Sequence, residues 1–203
     1  IHNGAMDNAT GIATLIETAT VAAAKGGFKR SVMFLAVTAE EKGLLGSRFY
    51  ANRPTVPAAS IVANLNTDMF LPLFPLHSLI VQGLEESDLA GDLRKTAQSL
   101  GIEVYSDPEP ERNAFVRSDQ YSFVRQGIPA VALKVGYTPD SADAASHAAW
   151  TKERYHAPSD DLQQPFDLGA AVAFTELVGA LSADVANRPA RPQWKATSFF
   201  KRF

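Results

Sequence analysis

Apolar residues fall into short blocks separated by polar and glycine-bearing stretches, and the blocks are of two kinds. In the first, Ile12, Leu15, Ile16, Ala19 and Ala23 recur at helical spacing. A helix is therefore expected from a cap at Asp7 or Asn8 to about Ala24, stopped by Gly26 and Gly27. Ser31 to Val37 is a nearly continuous apolar run, the pattern of a strand covered on both faces. Ala59 to Leu65, Leu79 to Gln82 and Ala130 to Val135 read as further buried strands. Between them, helices are expected from Gly43 to about Asn52, from Ser87 to Leu100, over Asp119 to Arg125 and from Leu168 to Val185. Pro108 to Asn113 reads as a charged loop and Tyr137 to Ala157 as a long polar loop. The tail from Asn187 is expected to pack along the surface.

Alternating strands and helices, with strands apolar throughout, predict an α/β fold: a mixed, mostly parallel central sheet with helices on both faces. The 203 residues suit one domain spanning residues 1–203. Composition narrows the classes. A hydrophobic fraction of 46%, a charged fraction of 20% and a net charge of −3 are those of an ordinary soluble protein. There is no basic stripe for nucleic acid, and the apolar runs read as too short to span a bilayer. The absence of cysteine excludes disulfides, thiolate metal sites and cysteine nucleophiles. Any zinc must then be held by His, Asp and Glu. Ile1 to Ala5 show neither an initiator methionine nor a signal peptide, so the chain reads as a fragment or processed form.

The acidic residues carry the chemistry by their positions. Asp7 lies at a loop-to-helix junction, and Glu40, Glu41 and Asp68 lie at the carboxyl ends of expected strands, where open α/β sheets build their sites. Singly, these are a helix cap, a solvated first turn and a turn residue, and His156 is a surface-loop histidine. Gathered at one rim they would repel one another unless cations intervened. Carboxylates with one imidazole form the ligand set zinc takes without thiolates.

Five stretches carry a resemblance: Asn3 to Glu17, Phe34 to Tyr50, Asn64 to Met69, Ser118 to Leu133 and Tyr155 to Leu162. Together they resemble the di-zinc aminopeptidases of metallopeptidase clan MH, which include bacterial leucyl aminopeptidases, the glutamate carboxypeptidase group and the zinc-dependent glutaminyl cyclases. The resemblance implies a zinc-exopeptidase fold and an aminopeptidase acting on peptides with two zinc ions. It implies Asp7 as the carboxylate bridging the zincs, Glu40 as general base, Glu41 and His156 as ligands of one zinc and Asp68 as a ligand of the other. Tyr155 matches a tyrosine placed near the tetrahedral intermediate in some members. Ser118 and Asp119 stand where the family orders its site, equally readable as helix caps, and Gln120 replaces a histidine common there. Relatives of this kind are commonly exported, so export is expected.

The family also carries a histidine in a His-x-Asp motif upstream of the Asp7 segment. Six residues precede Asp7, and His2 lacks that pattern. The expectation is a fragment missing its N-terminal strands and first histidine ligand, with the Asp68 zinc weakly held and activity impaired. His77 and His147 are expected to be structural or solvated. Arg112, Phe115 and Arg117 read equally as a pocket lining or a surface loop. A carboxypeptidase or glutaminyl cyclase on the same scaffold, and a non-catalytic binding domain, remain as alternatives. Side-chain preference and oligomeric state are left open.

Overall fold

The computed structural model describes residues 3–203. Four strands form a mixed sheet: β1 (Asn64–Asn66), β2 (Ser78–Gln82), β3 (Glu103–Ser106) and β4 (Ala130–Val135), in the order β1-β4-β2-β3. β1 runs parallel to β4 and β3 parallel to β2, while β2 and β4 are antiparallel. Six α-helices accompany them: α1 (Thr10–Lys25), α2 (Leu45–Asn52), α3 (Leu89–Ser99), α4 (Gln120–Val124), α5 (Ala142–Glu153) and α6 (Leu168–Asn187).

β4 is central because its alternating side chains suit two covered faces. Val131, Leu133 and Val135 enter the main core with Leu79 and Val81 of β2, Leu89 and Leu93 of α3, and Phe174, Leu177 and Leu181 of α6. Phe70 and Phe174 stack at 4.0 Å between ring centroids. α6 is, by length and hydropathy, the one helix among the described residues that could cross a membrane. The helix was expected from Leu168, with its apolar runs read as too short to span a bilayer; its Phe174, Leu177 and Leu181 are buried in this core. Asp167 caps it by accepting from Ala170 N at 2.8 Å.

The structure departs from the expected elements in five places, the first being β3, an edge strand absent from the expected set whose residues are mostly exposed. Ser31 to Val37 is not a strand: none of its backbone groups bonds to another backbone group among the described residues, and Met33 is 46% exposed. This run and the free edge of β1 border an apolar cleft of about 750 Å³ instead. A strand is a property of a pair, and apolar patterning supplies no partner. For the same reason the expected strand at Ala59 to Leu65 shrinks to the three paired residues of β1, preceded by a 3₁₀ turn. α1 forms as expected, but it buries Gly11, Thr14 and Thr18 and leaves Ile12 and Ile16 exposed; Thr14 Oγ1 lies 3.1 Å from Thr175 Oγ1 of α6. Small residues let α1 and α6 approach closely, and Ile12 and Leu15 line the cleft. Finally, the polar stretch Tyr137 to Ala157 contains α5, which lacks an apolar stripe; its helix is set by alanine content and by Ser141, which accepts from Ala144 N.

Hydrogen exchange is expected to separate these cases. The amides of residues 31–37 should exchange fast, close to unprotected rates, while those of Val131 and Leu133 are protected to the level of global unfolding. Slow exchange over residues 31–37 would show that the run is paired in solution.

Candidate metal centre

The loop before α1 is held from a distance. Asp160 is 2% exposed, and its carboxylate accepts from Met6 N at 2.8 Å, Asp7 N at 3.0 Å and Gln164 Nε2 at 2.6 Å. Gln164 in turn accepts from Trp150 Nε1 at 2.6 Å. Asn8 fixes the other side: its Nδ2 donates to Thr67 O at 3.1 Å, and its Oδ1 accepts from Gly11 N and Met69 N. Gly11 is required there, since a Cβ would lie 2.2 Å from Thr67 O. The Asp7 segment is thereby tied to Thr67 at the carboxyl end of β1, and Asp68 acts electrostatically on the Asp7 carboxylate.

Glu40 and Glu41 sit in a 3₁₀ turn after Ala39, whose φ is 58°. Met69, just after Asp68, and His156 also have positive φ, 49° and 55°. Left-handed backbone at non-glycine residues is costly and clusters where side chains must be aimed. Here it turns three segments inward. His156 Nε2 lies 2.7 Å from Glu41 Oε1 and 3.4 Å from Asp7 Oδ2. One ligand atom from each of Asp7, Glu41 and His156 falls within 4.8 Å of the others. Asp68 is outside that trio; its Oδ2 accepts from Ser118 Oγ at 2.7 Å. Tyr155 stacks on His156 with centroids 3.8 Å apart. His2 lies outside the described residues.

Mutual repulsion marks the site electrostatically. Burial, then Asp68 and Glu41, push the Asp7 carboxyl up to about 6. Burial, then Asp68 and Asp119, push Glu40 up to about 7. Tyr155 is raised by burial and by the same carboxylates. Asp119 is raised by burial, and its buried Oδ1 has no hydrogen-bond partner. Converging oxygens that disfavour each other's charge, together with one imidazole, fit a hard-to-borderline divalent cation such as zinc.

A pH dependence follows for the metal-free protein. Asp7 and Glu40 hold protons more tightly in the folded state than in the unfolded chain. Between about pH 4 and pH 7 the folded form therefore carries the extra protons, and stability falls as pH rises through that window. Melting temperature with chelator present should decline over that range, and zinc should abolish the decline. A flat chelated profile would mean that burial and the neighbouring carboxylates do not raise Asp7 and Glu40 in the folded protein.

Three contributors were not identified from the sequence. Asp160 follows His156 by four residues in a matched stretch, which was the available signal. Asn8 follows Asp7, and its role as a bridge to Thr67 needs the fold. Gln120 is fully buried, accepts from Asn66 Nδ2 at 2.8 Å and donates to Phe115 O at 2.8 Å, so it braces β1 and the 115–118 turn. Phe115 lies over Gly83 and edge-on to Phe200 at 5.2 Å, a packing contact.

The chain is 31% identical over 170 residues to leupeptin-inactivating enzyme 1 of Streptomyces exfoliatus, covering 78% of this chain and 36% of that enzyme. Among solved structures it is similar to an aminopeptidase from Aneurinibacillus sp. strain AM-1, with TM-score 0.65 and 26% identity over 93% of this chain and 41% of the other. The LapA aminopeptidase of Legionella pneumophila shares the fold, with TM-score 0.70 and 23% identity over 92% of this chain and 48% of that one. The chain thus spans under half the length of these relatives. Residues 1–182 match the profile of peptidase family M28, and the chain belongs to that family.

Proposed function

We propose that this chain carries the catalytic machinery of a zinc-dependent aminopeptidase, which removes N-terminal residues from peptides. The observation that carries the reading is the meeting of Asp7, Glu41 and His156 within 4.8 Å, with Glu40 close by. Asp7, Glu41 and His156 would hold zinc, and Asp68, whose Oδ2 accepts from Ser118 Oγ, would serve a second ion beside them. Zinc supplies Lewis acidity, lowering the pKa of water and polarising the scissile carbonyl.

The chain's own residues do the rest. Glu40, pushed up to about 7, is poised to take a proton from the attacking water and return it to the leaving amine. Tyr155 stays protonated at neutral pH, so its hydroxyl can donate to the carbonyl oxygen as charge develops there.

The test is hydrolysis of leucyl-4-nitroanilide by zinc-reconstituted protein, set against release of a C-terminal residue from an N-blocked peptide. Cleavage of the first alone supports the reading. Cleavage of the second alone makes the protein a carboxypeptidase. Neither, with zinc bound, makes it a binding domain on this fold.

A further inference from the structure

β4 carries one charge, Lys134, where its neighbours are apolar. Val131, Leu133 and Val135 face the core, so Ala132 and Lys134 stand on the opposite face of the sheet. The parallel register sets Ala132 beside Asn66, and continuing it by two residues sets Lys134 level with Asp68. The segments still run together there, because Val135 N donates to Phe70 O at 2.9 Å. Lys134 thus sits at the same rim as the acidic cluster. Burial pushes its pKa down, while Asp68, Asp7 and Asp107 oppose that shift.

No carboxylate among the described residues forms an ion pair with Lys134. Around it are further groups suited to an anion. Arg112 acts on it from the charged loop, and both cations act on His147 of α5, whose pKa burial lowers to about 4. His147 packs against Tyr137 with centroids 4.7 Å apart. Glu109, held 2.9 Å from Arg112, is the nearby negative group along with Asp107. In the metal-free state the carboxylates of the cluster offset Lys134. Once divalent cations neutralise Asp7 and Asp68, Asp107 is the one carboxylate still opposing the burial of Lys134, with Arg112 acting against it, so the partly buried ammonium is undercompensated unless a ligand adds negative charge.

We propose that Lys134, supported by Arg112, Tyr137 and His147, forms an anion subsite beside the metal centre that holds a carboxylate of the peptide substrate close to the scissile bond. The inference rests on the aminopeptidase reading for the meaning of that substrate, but not for the existence of the subsite. Neighbouring strands lie about 4.8 Å apart and one extended residue spans about 3.4 Å. The carboxylate therefore lies within one residue of the cleaved bond, and the residue just after that bond can offer it as its side chain or as the free α-carboxylate of a dipeptide. The subsite favours short acidic substrates.

Two measurements test this on the zinc-loaded chain. The first is calorimetric binding of glutarate, with glutaramide as the neutral control. Glutarate is expected to bind, glutaramide to bind at least about tenfold more weakly, and Lys134→Met to weaken glutarate at least about tenfold. Methionine matches the lysine stem in length. Arg112→Gln, at an exposed position, is expected to weaken glutarate severalfold without touching the strand. Unchanged glutarate binding in Lys134→Met, or equal binding of glutaramide, overturns the proposal. The second is kcat/KM for Leu-Ala, Leu-Glu-amide and Leu-Ala-amide. At least one of the two anionic substrates is expected to exceed the neutral one about tenfold, and the faster identifies the source of the carboxylate. The ratio should collapse in Lys134→Met, and an unchanged ratio overturns the proposal. Lys134-dependent glutarate binding without cleavage of any peptide would sustain the subsite and remove the aminopeptidase reading instead.

Discussion

Glu40→Gln is expected to lower kcat for leucyl-4-nitroanilide by about 10³-fold while leaving zinc content unchanged, because a positioned general base contributes about 10²–10⁴-fold. That loss corresponds to about 4 kcal/mol of transition-state stabilisation. The substitution keeps shape and removes only basicity. Its second signature separates a base from a ligand. Burial and the surrounding carboxylates hold Glu40 up at about 7, so the charge on Glu40 is disfavoured in the folded protein. Replacing it with a neutral amide removes a repulsion and should flatten part of the pH-dependent loss of stability in the chelated protein. A fall in activity with an undiminished melting temperature and full zinc occupancy identifies the base. Retained turnover in this variant would remove Glu40 from the mechanism.

The positions that bear charge were legible in the sequence to the extent that chemistry constrains them locally. Asp68 follows β1, and strand ends are where such sheets expose their working groups, whereas Glu40 and Glu41 follow an apolar run that is not a strand. The helices were legible where stops are local, as at Gly26. What escaped was whatever depends on a partner. The run at residues 31–37 has the composition of a strand, yet a ladder needs a second edge within bonding reach, and composition cannot state where that edge lies. α1 shows the same limit in a helix. Its stripe at Ile12 and Ile16 has helical period, but Thr14 and Thr18 face α6, because close approach selects small side chains over apolar ones. Lys134 was invisible for a third reason: a single lysine in an apolar run gives no hint of what stands beside it until register places it by Asp68.

Asp160 makes the strongest structural claim, since one carboxylate shapes the approach of Asp7 to the site. Asp160→Ala leaves Met6 N, Asp7 N and Gln164 Nε2 without their acceptor in a buried setting. Each orphaned donor costs about 1–3 kcal/mol, so the variant is expected to lose about 4 kcal/mol, or about 10 °C in Tm for a chain of this size. Zinc affinity, measured by competition with a chelator, is expected to fall about 10–100-fold, as when partners that orient metal ligands are removed. An opposing effect exists: Asp160 is one of the charges that raise Asp7, so its removal relieves some repulsion. It is the smallest of those contributions, behind burial, Asp68 and Glu41, and so the lost hydrogen bonds dominate. Asp167→Ala supplies the control. It also deletes a buttressing carboxylate, but only a single helix-cap bond at α6, with an expected cost of about 1 kcal/mol and no change in zinc affinity. If the two variants lost the same stability and bound zinc equally, the Asp160 clamp would be an ordinary turn contact, and Asp7 would owe its position to Asn8 and Gly11 alone.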